Sequence, residues 1–457
     1  MNLTDQRGRR GSHRARRLPL QRLLYPFQQF LQIEASSGIV LLVCTAIALI
    51  WANSGFGDVY RRILDTRLTF GLDDHVIGGS LLFWVNDGLM AVFFFVVGLE
   101  IKRELIAGEL ADRRKAALPV VAALGGMAVP ALTYVSLNLG TREARGWGVP
   151  MATDIAFAVG VLALLGSRVP ASLKVFLTAL AIVDDIGAVA VIALFYGHSI
   201  VLPALAVGIA VLAISFVAGR GGVRSPVVYG LLGIAAWAAF LRSGVHATIA
   251  GVLLAMTIPA TTKLDAAGFR TRLQKALADL GKLTNGTVPT LAAEQQASIA
   301  ALENACEQAQ TPLQRLERML HPWVSYGIMP VFAIANAGVE VSDIGHMERL
   351  QVPLGILLGL VIGKPVGIAV FSWAAVHLKL AERPSDVSWA QILGAGMLGG
   401  IGFTMALFIA SLAFSNPTTL AAAKGAILGA SLVSGVLGYA FLRRVSAIET
   451  PDAESTG

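Results

Sequence analysis

The chain has 457 residues, 55% of them hydrophobic and 14% charged, with a formal net charge of +7 and a mean hydropathy of +0.68. An ordinary soluble domain is about 25% charged, so this composition excludes a disordered chain, a collagenous one and the usual cytosolic enzyme. It is the composition of an all-α polytopic membrane protein, and no nucleic-acid partner is implied, because the basic residues lie in short segments between apolar runs rather than on one soluble domain.

Residues 1–30 hold Arg7, Arg9, Arg10, Arg14, Arg16, Arg17 and Arg22. No short apolar core with a small-residue cleavage site follows them, so they read as a basic cytoplasmic tail and not as a secretory leader. Crossing a hydrocarbon core takes about 20 helical residues. Apolar runs of this kind recur at 36–53, 81–101, 118–138, 147–166, 172–196, 201–219, 225–241, 245–260, 322–340, 353–376, 388–413 and 419–442. The pattern predicts about twelve transmembrane helices. Helices 1–8 fall within 31–260 and helices 9–12 within 319–443, leaving 444–457 as a C-terminal tail. Between the first two runs, Thr66 to Ile77 alternates around Gly71, Asp73 and Asp74 as an extracytoplasmic hairpin would.

The sizeable polar insertion is 261–318. Ile299, Leu302, Cys306, Leu313, Leu316 and Leu320 keep a heptad-like spacing there that Pro312 interrupts. A solvated helical hairpin and a regulatory or partner-binding segment are the two readings it leaves open. Cys44 and Cys306 have no disulfide framework or metal-ligand spacing around them.

An even number of spans puts both ends on one side. That side receives the N-terminal tail, Lys102, Arg103, Arg113, Arg114, Lys115, Arg168, Arg220, Arg224, the basic residues of the insertion, Lys379, Arg383, Arg443 and Arg444. The other side receives only Arg61, Arg62, Arg67, Arg142, Arg145, Arg242 and Arg349. The positive-inside rule therefore places both termini in the cytoplasm.

Ionisable residues inside spans are costly and point to function. Asp154 lies in the fourth run, Asp184 and Asp185 in the fifth, and Lys364 in the tenth. Neighbours on a helix point about 100° apart, so one of Asp184 and Asp185 can contact an ion while the other pairs with a cation such as Lys364. The bland alternative is a salt bridge that only fixes helix packing. Two spans also look broken: the fourth at Gly148-Val149-Pro150-Met151-Ala152-Thr153-Asp154, and the eleventh at Gly394, Gly396, Gly399, Gly400 and Gly402 before Phe403-Thr404. Irregular backbone at membrane depth is tolerated only inside protein or against water. Interrupted spans in corresponding positions of two halves point to a transporter site built from inverted-topology repeats, whereas small residues alone serve close packing. Oxygen ligands suit hard ions. The Asp185 and Asp154 carboxylates, the Thr153 hydroxyl and freed carbonyls can form a site for dehydrated Na⁺ or Li⁺, at which a proton competes for the same oxygens.

Several runs carry a close resemblance to a known family. They are Trp84-Val85-Asn86-Asp87, Gly98-Leu99-Glu100-Ile101-Lys102-Arg103-Glu104-Leu105, Ala152-Thr153-Asp154-Ile155-Ala156-Phe157-Ala158 and Val183-Asp184-Asp185-Ile186-Gly187. Ser243-Gly244-Val245-His246-Ala247-Thr248, His321-Pro322-Trp323-Val324, Ala335-Asn336-Ala337-Gly338-Val339, Gly363-Lys364-Pro365 and Gly400-Ile401-Gly402-Phe403-Thr404-Met405 continue it in order to about residue 440. The chain resembles the NhaA family of sodium/proton antiporters, itself a known example of inverted repeats with two broken helices crossing near the membrane midplane.

The resemblance implies a transporter and not an enzyme, with no cofactor, in the bacterial inner (plasma) membrane. It implies electrogenic, pH-regulated exchange of cytoplasmic Na⁺ or Li⁺ for a larger number of external protons, serving sodium and pH homeostasis. Asp185 matches the more direct ion ligand and Asp184 the ionic partner of Lys364. Asp154 and Thr153 match residues at the crossing. Lys364 would compensate helix dipoles or release a proton. Glu100 and Glu104, with Lys102, Arg103 and Glu317, match a cytoplasmic pH-response region; a snorkelling anchor is the alternative. His246 matches a further pH-response position, with an interfacial residue as its alternative. Asp87 resembles another family acid. A homodimer is a further implication, with the outer hairpin as a candidate contact. The 261–318 insertion is longer than the family's usual loop and bears on the pH set point.

Two rival readings compete with this one. An intramembrane aspartyl protease needs one Asp on each of two helices with a Gly-x-Gly-Asp run, and this chain has an adjacent pair and no such run. A transporter of K⁺ or an organic anion shares the architecture, but three Asp against one Lys disfavour an anion.

Overall fold

The computed structural model describes residues 36–72, 75–197, 199–262, 266–282, 297, 299–303, 306, 309–340 and 350–448. The basic tail at 1–30, Asp73 and Asp74, parts of the insertion, Arg349 and residues 449–457 lie outside the described residues.

In an apolar run the backbone finds hydrogen-bond partners only in itself, and helices follow. In chain order they are α1 (Ser36–Ala52), α2 (Gly57–Asp65), α3 (Leu81–Ala107), α4 (Arg113–Asn138), α5 (Ile155–Ala163), α6 (Ala171–Phe195), α7 (Leu202–Arg220), α8 (Pro226–Ser243), α9 (Thr248–Thr257), α10 (Ala266–Lys282), α11 (Pro312–Trp323), α12 (Met329–Ala337), α13 (Gln351–His377), α14 (Trp389–Gly399), α15 (Phe403–Ala413) and α16 (Pro417–Ile448). The strands β1 (Arg67–Leu72) and β2 (His75–Ser80) pair antiparallel from Arg67 opposite Ser80 to Leu72 opposite His75, which is the hairpin expected between the first two runs.

Among the described residues, eight helices are long and apolar enough to cross a membrane, or ten if each of two bent pairs is one span. The pairs are α1 with α2, bent by 110°, and α14 with α15, bent by 47°. The expected twelve is not reached by length and composition. The run at 245–260 is helical only over the ten residues of α9, because Gly244 takes a left-handed φ of 81° and breaks the chain ahead of it. The ninth run starts earlier than its apolar stretch. Thr311 and Gln314 form a reciprocal capping box with Pro312 in the first turn of α11, so this proline opens a helix instead of interrupting one. Leu313 and Leu316 accordingly pack with Leu99, Tyr229, Ala255 and Ile258 rather than along a heptad seam.

Small residues set the closest approaches. A Cβ built on Gly125 of α4 would strike the Gly367 carbonyl of α13, and one on Gly367 would strike the Gly125 carbonyl. Gly98 of α3 sits likewise against Val252 and Ala255 of α9, as bilayer helices do when backbones pack directly. Buried Phe94, Phe332 and Phe408 fill the space between α3, α12 and α15, with the Phe94 and Phe408 rings 5.5 Å apart. Single wide π-helical turns interrupt α3 at Trp84–Leu89 and α13 at Gly359–Gly363, and Val324–Ile328 joins α11 to α12 through a third.

Candidate ion-binding site

Pro150 has no backbone N–H to donate to an α-helical ladder. The chain runs as a tight 3₁₀ helix over Arg142–Met151, is extended at Ala152 and Asp154, and restarts as α5 at Ile155. The second break lies at Gly400-Ile401-Gly402, between α14 and α15. Glycine is required at position 400 because a Cβ there would meet the Leu360 carbonyl and the Ser434 hydroxyl.

The two breaks are stitched together. The Asp154 amide donates to the Ile401 carbonyl at 2.7 Å, and the Thr153 hydroxyl donates to the Gly399 carbonyl at 2.9 Å. Asp154 Oδ1 accepts the Phe157 N–H of α5 at 3.0 Å. Its Oδ2 accepts the Thr404 N–H of α15 at 3.2 Å and also the Thr404 hydroxyl. One carboxylate thus caps the N-termini of both half-helices, where backbone donors are orphaned and the dipoles favour negative charge. Ser431 of α16 accepts the Phe403 N–H at 3.0 Å and holds the restart of α15 from the other side.

Lys364 follows the wide turn Gly359–Gly363 of α13 and is fully buried. Its Nζ donates to the Met151 carbonyl at the end of the 3₁₀ helix and to Asp184 Oδ2 at 2.6 Å. A cation therefore meets the carbonyl end of one half-helix while an anion meets the amide ends of two. Asp185 is 2% exposed. The Oδ1 atoms of Asp184 and of Asp185 are buried with no hydrogen-bond partner. A buried carboxylate without partners is costly until a proton or a cation neutralises it. Among the described residues no three His, Cys, Asp or Glu gather as a metal cluster.

The structure thus brings Thr153, Asp154, Asp184, Asp185 and Lys364 to the crossing. It also divides the oxygens that the sequence grouped as one ligand set. Asp154 is committed to capping, whereas Thr153, though donating, keeps its oxygen lone pairs.

The remaining expected residues form two other groups. Arg103 bridges Glu317 of α11 and, at 3.1 Å, its neighbour Glu104; Glu104 also accepts the Glu109 N–H at 3.2 Å. Glu100 lies one turn before Glu104 on α3. Burial pushes the Glu317 carboxyl above its ordinary value, with Arg103 opposing and Glu104 adding to the rise. Lys102 departs from this group. Its Nζ donates to the Met256 and Ile258 carbonyls and caps the end of α9. His246 stands apart from both, with Nδ1 2.8 Å from the Thr248 hydroxyl and Nε2 3.7 Å from Asp87.

Sequence reasoning gave no role to Thr404, Ser431 or the Asp87 pairing. It also missed the amide pair of half-buried Asn86 and buried Asn336, in which Asn336 donates to Asn86 at 2.7 Å. Thr404 has a local signal, a hydroxyl at the start of a helix after clustered glycines; the others rest on contacts between distant runs.

A many-helix membrane fold with buried charges at two crossing helix breaks defines a secondary transporter architecture. The family profile described as Na+/H+ antiporter 1 matches residues 28–442. The Na(+)/H(+) antiporter NhaA of Oleidesulfovibrio alaskensis is 52% identical over 93% of this chain and 95% of its own. That of Koribacter versatilis is 49% identical over 96% of each chain, and that of Wolinella succinogenes 48% identical over 90% of this chain and 92% of its own. The chain belongs to the NhaA family of Na⁺/H⁺ antiporters. Among solved structures, the sodium proton antiporter MjNhaP1 from Methanocaldococcus jannaschii at pH 8 has a TM-score of 0.48 and 13% identity over 94% of this chain and 95% of that one.

Proposed function

We propose that this protein exports Na⁺ or Li⁺ from the cytoplasm in exchange for external protons, at a site formed by Asp185 and Asp184 beside the crossing of the broken helices. The observation that carries the reading is the unpartnered, buried Oδ1 of Asp185 next to an equally unpartnered Oδ1 of Asp184. A small hard cation satisfies such oxygens once its water is stripped, and so does a proton. Occupancy by one excludes the other, and alternating access to the two faces turns that competition into coupled exchange.

Asp185 is the ion ligand, with the Thr153 oxygen and carbonyls of the extended 152–154 segment as supporting donors. Asp184 and Lys364 share a charge pair that Na⁺ binding perturbs, so a second proton moves within this pair, on the acid or on the amine. More than one proton per Na⁺ makes the exchange electrogenic. Asp154 holds the two half-helices together while one rocks against the other. Glu100, Glu104 and Glu317 around Arg103, with His246 beside Asp87, set the pH at which the exchange runs. Both termini are cytoplasmic, in the inner membrane, and the β1–β2 hairpin is a contact for a second copy.

The test uses everted vesicles acidified inside by respiration and a pH dye. Addition of Na⁺ or Li⁺, but not K⁺, should dequench the dye, with a response that varies with pH. Dequenching by K⁺ at equal strength, or none by Na⁺ from inserted protein, refutes the proposal.

A further inference from the structure

An apolar groove of about 600 Å³ lies between α1, α5 and α16, with none of Thr153, Asp154, Asp184, Asp185 or Lys364 in its lining. On α16, Leu428, Leu432, Val436 and Tyr439 form its wall, a stripe at helical spacings of four, four and three. From Leu428 to Ala440, both lining residues, the groove runs about 18 Å at the helical rise, somewhat over half of a hydrocarbon core about 30 Å thick. That is the depth of one leaflet, and its apolar rim is exposed: Leu42 is 47%, Leu432 64% and Val436 58% accessible. Gly429 of α16 opens into the groove. A Cβ placed on Gly429 would meet nothing within 4 Å.

One end of the groove is basic. Leu164 and Tyr439 mark that end. One turn beyond them the chain places Arg168, in the Gly166–Arg168 turn that packs against α16, and Arg443 and Arg444 on α16 itself. All three arginines are exposed. An acyl chain in the groove would therefore bring its phosphate level with these guanidinium groups, which suit phosphate well. The opposite part of the groove is walled by Phe403 and Ser431, the pair joined by the hydrogen bond that anchors the start of α15.

We infer that the groove between α1, α5 and α16 is a binding site for an anionic phospholipid of the surrounding bilayer, with one acyl chain against α16 and the phosphate held by Arg168, Arg443 and Arg444. The site takes the headgroup by charge and the chain by shape. Its lining differs from that of the ion site, and its occupant touches Phe403 at the start of α15.

The test is native mass spectrometry of the delipidated, full-length antiporter titrated with phosphatidylglycerol or phosphatidylcholine, reading the affinity of the first bound lipid. The wild-type protein should prefer phosphatidylglycerol. Gly429→Leu projects a side chain into the groove from a position where a Cβ meets nothing within 4 Å, and it should weaken the first binding about ten-fold, since each displaced methylene matters. Replacing Arg168, Arg443 and Arg444 together by Ala should leave phosphatidylcholine binding unchanged while weakening phosphatidylglycerol, by about five-fold for each arginine that holds the phosphate. Wild-type affinity in Gly429→Leu overturns the groove, and an unchanged lipid preference in the surface arginine variant, which leaves the packed helices untouched, overturns the headgroup site.

Discussion

Lys364 and Asp184 are 2.6 Å apart with both side chains at 0% exposure, so neither can lose its partner cheaply. Removing one charge from such a pair costs about 3–5 kcal/mol, because the other is left buried and unpaired. Lys364→Met should therefore lower the thermal midpoint of the detergent-solubilised protein. Adding Asp184→Asn to it should restore most of the loss, since a neutral amide replaces the orphaned anion; a double variant less stable than the single would refute the pairing account. Thr404→Val removes a hydroxyl donor from Asp154 while leaving the Thr404 N–H in place. It should cost about 1–3 kcal/mol, read from the same melts. The acids themselves were legible in the sequence, because a carboxylate in an apolar run stands out. Their partners were not. The donor to Asp154 lies 250 residues away, and Asp87 meets His246 only because α3 and α9 pack through glycine.

The breaks carry the function of the helices that contain them. Pro150 and the glycines at 399, 400 and 402 announced both breaks, but not that Asp154 would cap two helices at once. The wide turn Gly359–Gly363 that precedes Lys364 has no compositional signature, and it was invisible. Pro312 was misread for a physical reason: proline stops a helix from inside and starts one from its first turn, and only the Thr311–Gln314 capping box decides between them. Close packing between α4 and α13 offers a test at this scale. Gly367→Ala drives a methyl into the Gly125 carbonyl, so it should destabilise by about 1–3 kcal/mol and lower yield of folded protein. Gly429→Ala on α16, where nothing lies within 4 Å, should leave stability unchanged or slightly raised. Equal melting losses for the two would contradict the packing described.

Across the whole molecule the ion site and the Arg103 cluster are joined through α3 and α6, which pack on one another. Burial raises the Glu317 carboxyl above its free value, so the folded protein holds that proton more tightly than the unfolded chain. Its stabilising contribution is complete below the free value and is lost as pH rises through the raised one. Ionisation of Glu317, as pH rises through its raised value, strengthens the ion pair with Arg103. Glu317→Gln should remove this response and flatten the pH profile of exchange in vesicles, with the maximal rate preserved; a profile identical to wild type would remove Glu317 from pH control. The many-helix fold was readable from hydropathy alone, and the short α9 was not, because an apolar run looks the same whether it starts as helix or as chain.

Competition between Na⁺ and protons at Asp185 is tested most directly without any membrane gradient. Purified protein in weakly buffered detergent at fixed pH is given Na⁺, and released protons are recorded. The account predicts that the wild-type protein releases protons on Na⁺ addition and that folded Asp185→Asn releases fewer, with no Na⁺-dependent exchange in vesicles. Proton release equal to wild type from Asp185→Asn would contradict it.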